Sequence, residues 1–350
     1  MSSVNEFMSI AVEQRSPQHL LDMIGCAIKL EHSTLPPYLT AMWSISDRNH
    51  AAYGILATIV MEEMGHMGLA CNLLTTLGGS PSITAPDFVP QYPSPLPCDI
   101  APRVIPPNLQ TWQVGLSRLT PAVISDIFMI IEYPEGGPIA LLDERRRTFY
   151  TIGEFYDAIA HTLRHLVNCG KLKITGDRQI TEPIGDYNAV TPITNLKEAL
   201  CVIEHIKEQG EGTPHAPDAV NFGAELAHYY QFKQILVGRL YQQMPDRTWK
   251  LNGKFFDFPA VYPMADVPRG GYSGPSVPLE LAQFNSDYKQ MLVALQAAWD
   301  KGGAAGHHNL EEAENYMDGL GTTAVTLMNT PIDAIHPDRG NYAPTFQIQS

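Results

Sequence analysis

Two four-residue units in this chain place a carboxylate and an imidazole three positions apart. Glu63-Met64-Gly65-His66 lies inside the apolar run IVMEEMGHMGLACNLLTTLGG, and Glu225-Leu226-Ala227-His228 repeats the spacing on a second apolar stretch. On a helix, residues three apart share a face, so each unit can grip one cation with an oxygen and a nitrogen. Either unit alone is a pattern that recurs by chance. Two of them, joined by one buried glutamate from each of two further helices, make a dinuclear carboxylate site inside a four-helix bundle.

The chain offers several glutamates for the two remaining places. Ile24, Ala27, Ile28, Glu31, Leu35 and Tyr38 form one helical stripe, which puts the Glu31 carboxylate among apolar neighbours, where an unpaired charge is costly. Glu31 is therefore a ligand, unless the helix bends at Pro36-Pro37 and lets it reach solvent or a lysine. Glu62 rivals Glu63, because it stands four before His66, but Thr58 and Gly65 beside it are less core-like and Glu63 is preferred. Glu154 is a ligand candidate or simply an acid favouring a helix N-terminus, and Glu132, after an apolar run, is held in reserve. His32 alone reads as a capping or core histidine. Four carboxylates and two neutral imidazoles would balance two divalent ions and suit iron or manganese better than soft metals. Iron is the first choice and manganese the alternative. Such a centre would use O2 to oxidise a small organic substrate; Tyr38 and Tyr229, one or two turns from ligands, are either ordinary core tyrosines, the commoner case, or groups that gate access or pass electrons.

The elements that must position these groups are helical. Ser16-Pro17 is a helix start, and the helix should kink at Pro36-Pro37. A second helix spans 49–77 and stops at Gly78-Gly79. The proline-dense stretch 80–107 is too long for a turn and should wrap the bundle and cross its end. A short helix over 121–131, a third bundle helix over 151–170 carrying Glu154, and a fourth over 222–241 complete the frame. Between the last two, a helix from 196 ends in the turn Gln209-Gly210-Glu211-Gly212, read as a structured turn near the site. Asn252-Gly253 is a hairpin signal. Two more helices, 279–299 and 310–328, carry apolar faces and no evident ligands. Residues 1–245 thus form the bundle, and 246–350 add a loop and hairpin region with two helices packed on it, in one continuous domain.

Composition narrows the partners. The chain has 350 residues, 44% hydrophobic, with a formal net charge of −14, which argues against nucleic acid or an anionic membrane surface. No apolar run is long enough to span a bilayer, and the N-terminus lacks a signal-peptide pattern. The five cysteines are scattered and odd in number; disulfides are not expected to organise such a chain, and a cytoplasmic location follows.

The blocks IKLEHSTLPPYLTAMWSI, VMEEMGHMGLACNLLTTLGGSP, TIGEFYDAI, EQGEGT and ELAHYYQF resemble the ferritin-like domain of the iminophenylpyruvate dimer synthase family, found also in chromopyrrolate-type synthases of bisindole pigment pathways. The resemblance covers about residues 11–240. It implies an all-α, ferritin-like four-helix bundle with a long crossover, elaborated here by extra C-terminal helices and proline-rich loops, and a dinuclear metal centre held by Glu31, Glu63, His66, Glu154, Glu225 and His228. It also implies oxidative coupling of an aromatic, amino-acid-derived imine. Some relatives carry haem, which stays open as a further cofactor, although the chain has no CxxCH and no evident axial ligand. The alternatives are an iron-handling ferroxidase, a manganese catalase, or a non-catalytic bundle stabilised by metal. The expected partners are a small substrate and O2, with a small homo-oligomer as the assembly.

Overall fold

The computed structural model describes residues 4–100, 112–134, 152–181, 192–210, 226–246, 248–274 and 276–348. After a short α1 (Val4–Ser9), two long helices form the centre: α2 (Pro17–Trp43) and α3 (Ala51–Thr76). The Ser16 hydroxyl accepts from the His19 amide, and the His19 ring accepts from the Ser16 amide, so α2 opens on a reciprocal cap. Its two internal prolines do not end it. Pro37 has no N–H for the Ser33 carbonyl, and the Tyr92 hydroxyl donates to that oxygen instead, at 2.7 Å. The crossover thus compensates the very bond the proline removes.

That crossover holds Ile83, Phe88, Tyr92 and Leu96 in the core and is tied to α2 covalently. Cys26 and Cys98 form a disulfide with a Cα separation of 6.2 Å, while Cys71, Cys169 and Cys201 are free. This corrects the expectation drawn from the cysteine pattern: an odd, scattered set can still contain one pair once a long loop folds back. The argument for a cytoplasmic location from cysteine usage falls with it. Among the described residues, no helix is long and apolar enough to cross a membrane.

The chain re-enters the bundle through α4 (Pro121–Val123), a π-helical turn (Ile124–Phe128) and α5 (Met129–Ile131). Thr120 caps α4 through the Val123 amide. α6 (Ile152–Asn168) packs against α2, and α7 (Leu196–Gly210) packs against both α6 and α3. α8 (His228–Val237) lies against α3, α5 and the π turn. It ends at Gly238, whose φ of 69° is left-handed and favours glycine.

A two-stranded antiparallel ribbon follows, β1 (Gln242–Gln243) with β2 (Trp249–Lys250). Its reversal is at 244–248, where Asp246 accepts from the Thr248 amide and hydroxyl. Asn252-Gly253, expected to make the turn, lies beyond β2: the Gly253 amide donates to the Leu240 carbonyl, and a side chain there would meet that oxygen. Finally α9 (Leu279–Lys301) and α10 (Gly303–Met328) pack on each other and on α3 and α2 respectively. The result is an all-α, ferritin-like bundle with a long crossover and extra C-terminal helices.

Candidate metal centre

Five charged or titratable side chains converge in the middle of this apolar frame. Glu31 comes from α2, Glu63 and His66 from α3, Glu132 from the end of α5, and His228 from the first position of α8. Their exposures are 5, 2, 2, 4 and 0%, respectively, so bulk water solvates none of them. They make two triads, Glu31–Glu63–His66 and Glu63–Glu132–His228, in each of which donor atoms lie within 4.8 Å of one another. Glu63 belongs to both.

The hydrogen bonds around the triads decide which way each imidazole faces. His66 Nε2 meets the Gln209 side-chain oxygen at 2.8 Å, so that nitrogen carries the proton and donates outward. Its Nδ1 then turns a lone pair toward Glu31, 3.6 Å away. His228 repeats this: Nε2 is 2.9 Å from Glu62 Oε2, and Nδ1 faces Glu63 Oε1 at 2.8 Å and Glu132 Oε2 at 3.7 Å. Among the described residues no hydrogen bond of sound geometry reaches His228 Nδ1, although it is fully buried. An imidazole nitrogen pointed at carboxylate oxygens must be protonated or share a cation with them, and the outward N–H to an acceptor is how metal-ligating histidines are held. The two rings stack with centroids 5.5 Å apart.

The carboxylates are oriented in the same manner. Thr34 donates to Glu63 Oε2 at 2.9 Å, Tyr38 to Glu132 Oε1 at 2.6 Å, and Tyr156 of α6 to Glu31 Oε1. Each acid therefore has one oxygen steadied and one facing inward. The space between them is a cavity of about 20 Å³, lined by Glu31, Thr34, Glu63, His66 and Glu132 among others, room for about one water-sized guest. Burial, with Glu132 alongside, raises the Glu63 carboxyl to about 7. Burial alone would lower both imidazoles, but the surrounding carboxylates override it: His66 is raised, and His228 is raised well above its ordinary value. Without metal, then, protons stand where positive charge is needed. A hard, oxygen- and imidazole-rich, buried donor set of this kind fits divalent cations that favour carboxylate and imidazole ligands.

The sequence-predicted residues fare differently. Glu31, Glu63, His66 and His228 are brought together. Glu62 is drawn outside the triads, where it and Gln231, whose amide donates to the same Glu62 oxygen at 3.0 Å, hold His228 in place. Glu154 sits in the first turn of α6, partly exposed, and among the described residues belongs to neither triad. Two residues along a helix point about 200° apart, and it is Tyr156, not Glu154, that α6 turns toward Glu31. Glu132, the reserve, takes a place in a triad. Glu225 lies outside the described residues. In the described part of the second unit, α8 begins at His228 and Ala227 before it is extended, with ψ of 153°. Tyr38 is fully buried beside the site, and Tyr229 packs edge-on against Tyr133 and Tyr230.

Sequence reasoning missed Thr34, Tyr156 and Gln209. Of the expected turn Gln209-Gly210-Glu211-Gly212, the first two residues are the last of helix α7 and the other two lie outside the described residues; the nearness to the site holds for the described pair, since a side chain on Gly210 would come within 3.4 Å of Glu132 Oε2. Nothing local marks a threonine or tyrosine that acts only through a residue from another helix.

The comparisons with known proteins bear on the fold and the family. Residues 24–237 match the family model described as Ferritin-like. Among solved structures, the chain is similar to a ferritin-like protein from Caulobacter vibrioides, with a TM-score of 0.61 and 23% identity over 94% of this chain and 97% of that one. At that identity the likeness speaks for the fold. No curated protein matches. With most of the chain inside the matched span, and two buried acid–histidine triads forming a potential di-metal site at its centre, the chain belongs to the ferritin-like family.

Proposed function

We propose that the chain is a metal-dependent oxidase or oxygenase that uses two metal ions, iron in the first instance, O2, and a small organic substrate. An aromatic imine of the kind coupled by the dimer synthases it resembles is the substrate class we favour. The observation that carries the reading is the pair of buried triads sharing Glu63. Glu31, Glu63 and His66 would hold one ion, and Glu63, Glu132 and His228 the other. Glu154 and Glu225 remain proposed ligands on the family resemblance. When bound, the ions would supply redox chemistry at a position shielded from water. The chain's own part is to orient the donors. Gln209 and Glu62 fix the two imidazoles, Tyr38 and Tyr156 steady the terminal acids, and the apolar wall keeps the site dry. Tyr38 is in this view a positioning residue, and Tyr229 borders the site without a place in the triads.

The test is metal analysis of protein purified without chelator, followed by anaerobic ferrous loading and exposure to O2 with and without aromatic imine. The expected result is two ions per chain and O2 uptake that rises with substrate. Glu63→Ala should lose both ions. Two bound ions with no O2 uptake would leave a metal-stabilised scaffold, and O2 uptake driven by ferrous iron alone would mark a ferroxidase. Either would overturn the oxidase reading.

A further inference from the structure

On the other side of α3 from the carboxylates, a cavity of about 460 Å³ lies between the α2–α3 pair and the α9–α10 pair. α3 contributes Met61, Met64 and Gly68 to its wall, α9 contributes Met291 and Trp299, and α2 contributes Trp43. The volume is in the range of small-molecule sites, and its lining of thioethers and indoles is polarizable and suited to flat rings. Gly68 keeps the floor low: a side chain there would touch the Trp299 ring at 3.7 Å. The Trp299 N–H is already committed to Asn72, at 2.8 Å, so the indole presents carbon to the cavity.

One polar group in this wall lacks a complete set of partners. His32 lines the cavity and is 2% exposed. Its Nε2 meets the Tyr288 hydroxyl at 2.7 Å, and its Nδ1 has no hydrogen-bond partner among the described residues. A buried phenol donates its proton, which makes Nε2 the acceptor and leaves Nδ1–H as an unused donor. At the exposed edge stand Glu314 and Asp318 of α10, two acids that disfavour an anion at the entrance.

We propose that this cavity is a second ligand site, for an uncharged, mainly apolar aromatic molecule bearing a hydrogen-bond acceptor that takes the His32 Nδ1–H. The site needs no metal, so the proposal stands apart from the oxidase reading. Nile red, a flat neutral dye with a carbonyl, is the probe, titrated into the full chain with and without metal. The expected result is one site per chain, with blue-shifted emission excited in part by energy transfer from the wall tryptophans, and the same affinity in both metal states. Val60→Phe from α3 and Leu295→Phe from α9 would each push a ring into the cavity and narrow it. Both should weaken the dye by about tenfold or more without lowering the melting temperature. His32→Phe keeps the shape and removes the donor. It should cost Nile red about tenfold, as a lost hydrogen bond does, while leaving the hydrocarbon probe diphenylhexatriene within about twofold. No binding, or binding unchanged in both narrowed variants, overturns the site; equal loss of both probes in His32→Phe overturns the acceptor requirement.

Discussion

At the scale of single residues, the candidate metal centre is governed by side chains that never enter it. A histidine can present only one nitrogen inward, and the partner of the other nitrogen decides which. Gln209 decides this for His66 and Glu62 for His228. Gln209→Leu removes the acceptor while keeping the volume close, so it should weaken metal binding by about 10- to 100-fold with helicity unchanged. Competition with a chelating dye measures the affinity directly, and an affinity equal to that of the parent chain would show that the ring is held by something else. The same logic explains what the sequence disclosed at this scale and what it withheld. Glu63, His66 and Glu31 announced themselves because a charge in an apolar stripe is costly wherever the stripe packs. Glu132 was legible only as a reserve, since its role depends on where a crossover of irregular backbone delivers it. Glu62 and Glu63 are adjacent, and only the packed position of His228 separates their duties.

At the scale of elements, a short helix and a π turn do the positioning that long helices do elsewhere. α8 contributes His228 at its first residue and Phe232 one turn later, and Phe232 is fully buried between Tyr38 and Phe128, at ring distances of 5.1 and 5.2 Å. That aromatic trio joins α8 and the π turn to the tyrosine that steadies Glu132. Phe232→Ala should cost about 3–5 kcal/mol of stability, read from denaturant unfolding, and should reduce metal affinity as well, because Tyr38 loses its packing. A loss of stability with no loss of affinity would separate the trio from the metal. The long helices were readable in advance: their apolar stripes, the Ser16 cap and the Gly78 stop are local signals. The start of α8 was not, because the run from 222 has helical spacing while Ala227 is extended. The ribbon turn was also misplaced, because Asp246 and Thr248 close the reversal before Asn252-Gly253 is reached.

At the scale of the whole molecule, the long crossover ties sequentially distant parts together. It repairs α2 at Pro37 through Tyr92 and is bonded to it through Cys26–Cys98, across a separation of 72 residues. Such a link stabilises chiefly by restricting the unfolded chain. Cys98→Ser, or reduction of the parent chain, should lower stability by about 2–4 kcal/mol. Melting with and without reductant checks it, and an unchanged midpoint would mean the pair carries no weight in solution. No reading of cysteine spacing could have supplied this pair, since the loop closes only after the crossover has folded over α2.

α3 serves two compartments at once, acids and imidazole toward one and thioethers toward the other. A substitution on it can spoil one compartment and spare its neighbour. A single residue deleted between Val60 and Glu63 would instead turn everything downstream by about 100°, sending His66 toward the oily chamber and Met64 and Met67 toward the carboxylates. In descendants of this gene, the length of that stretch should therefore stay constant even where its letters drift.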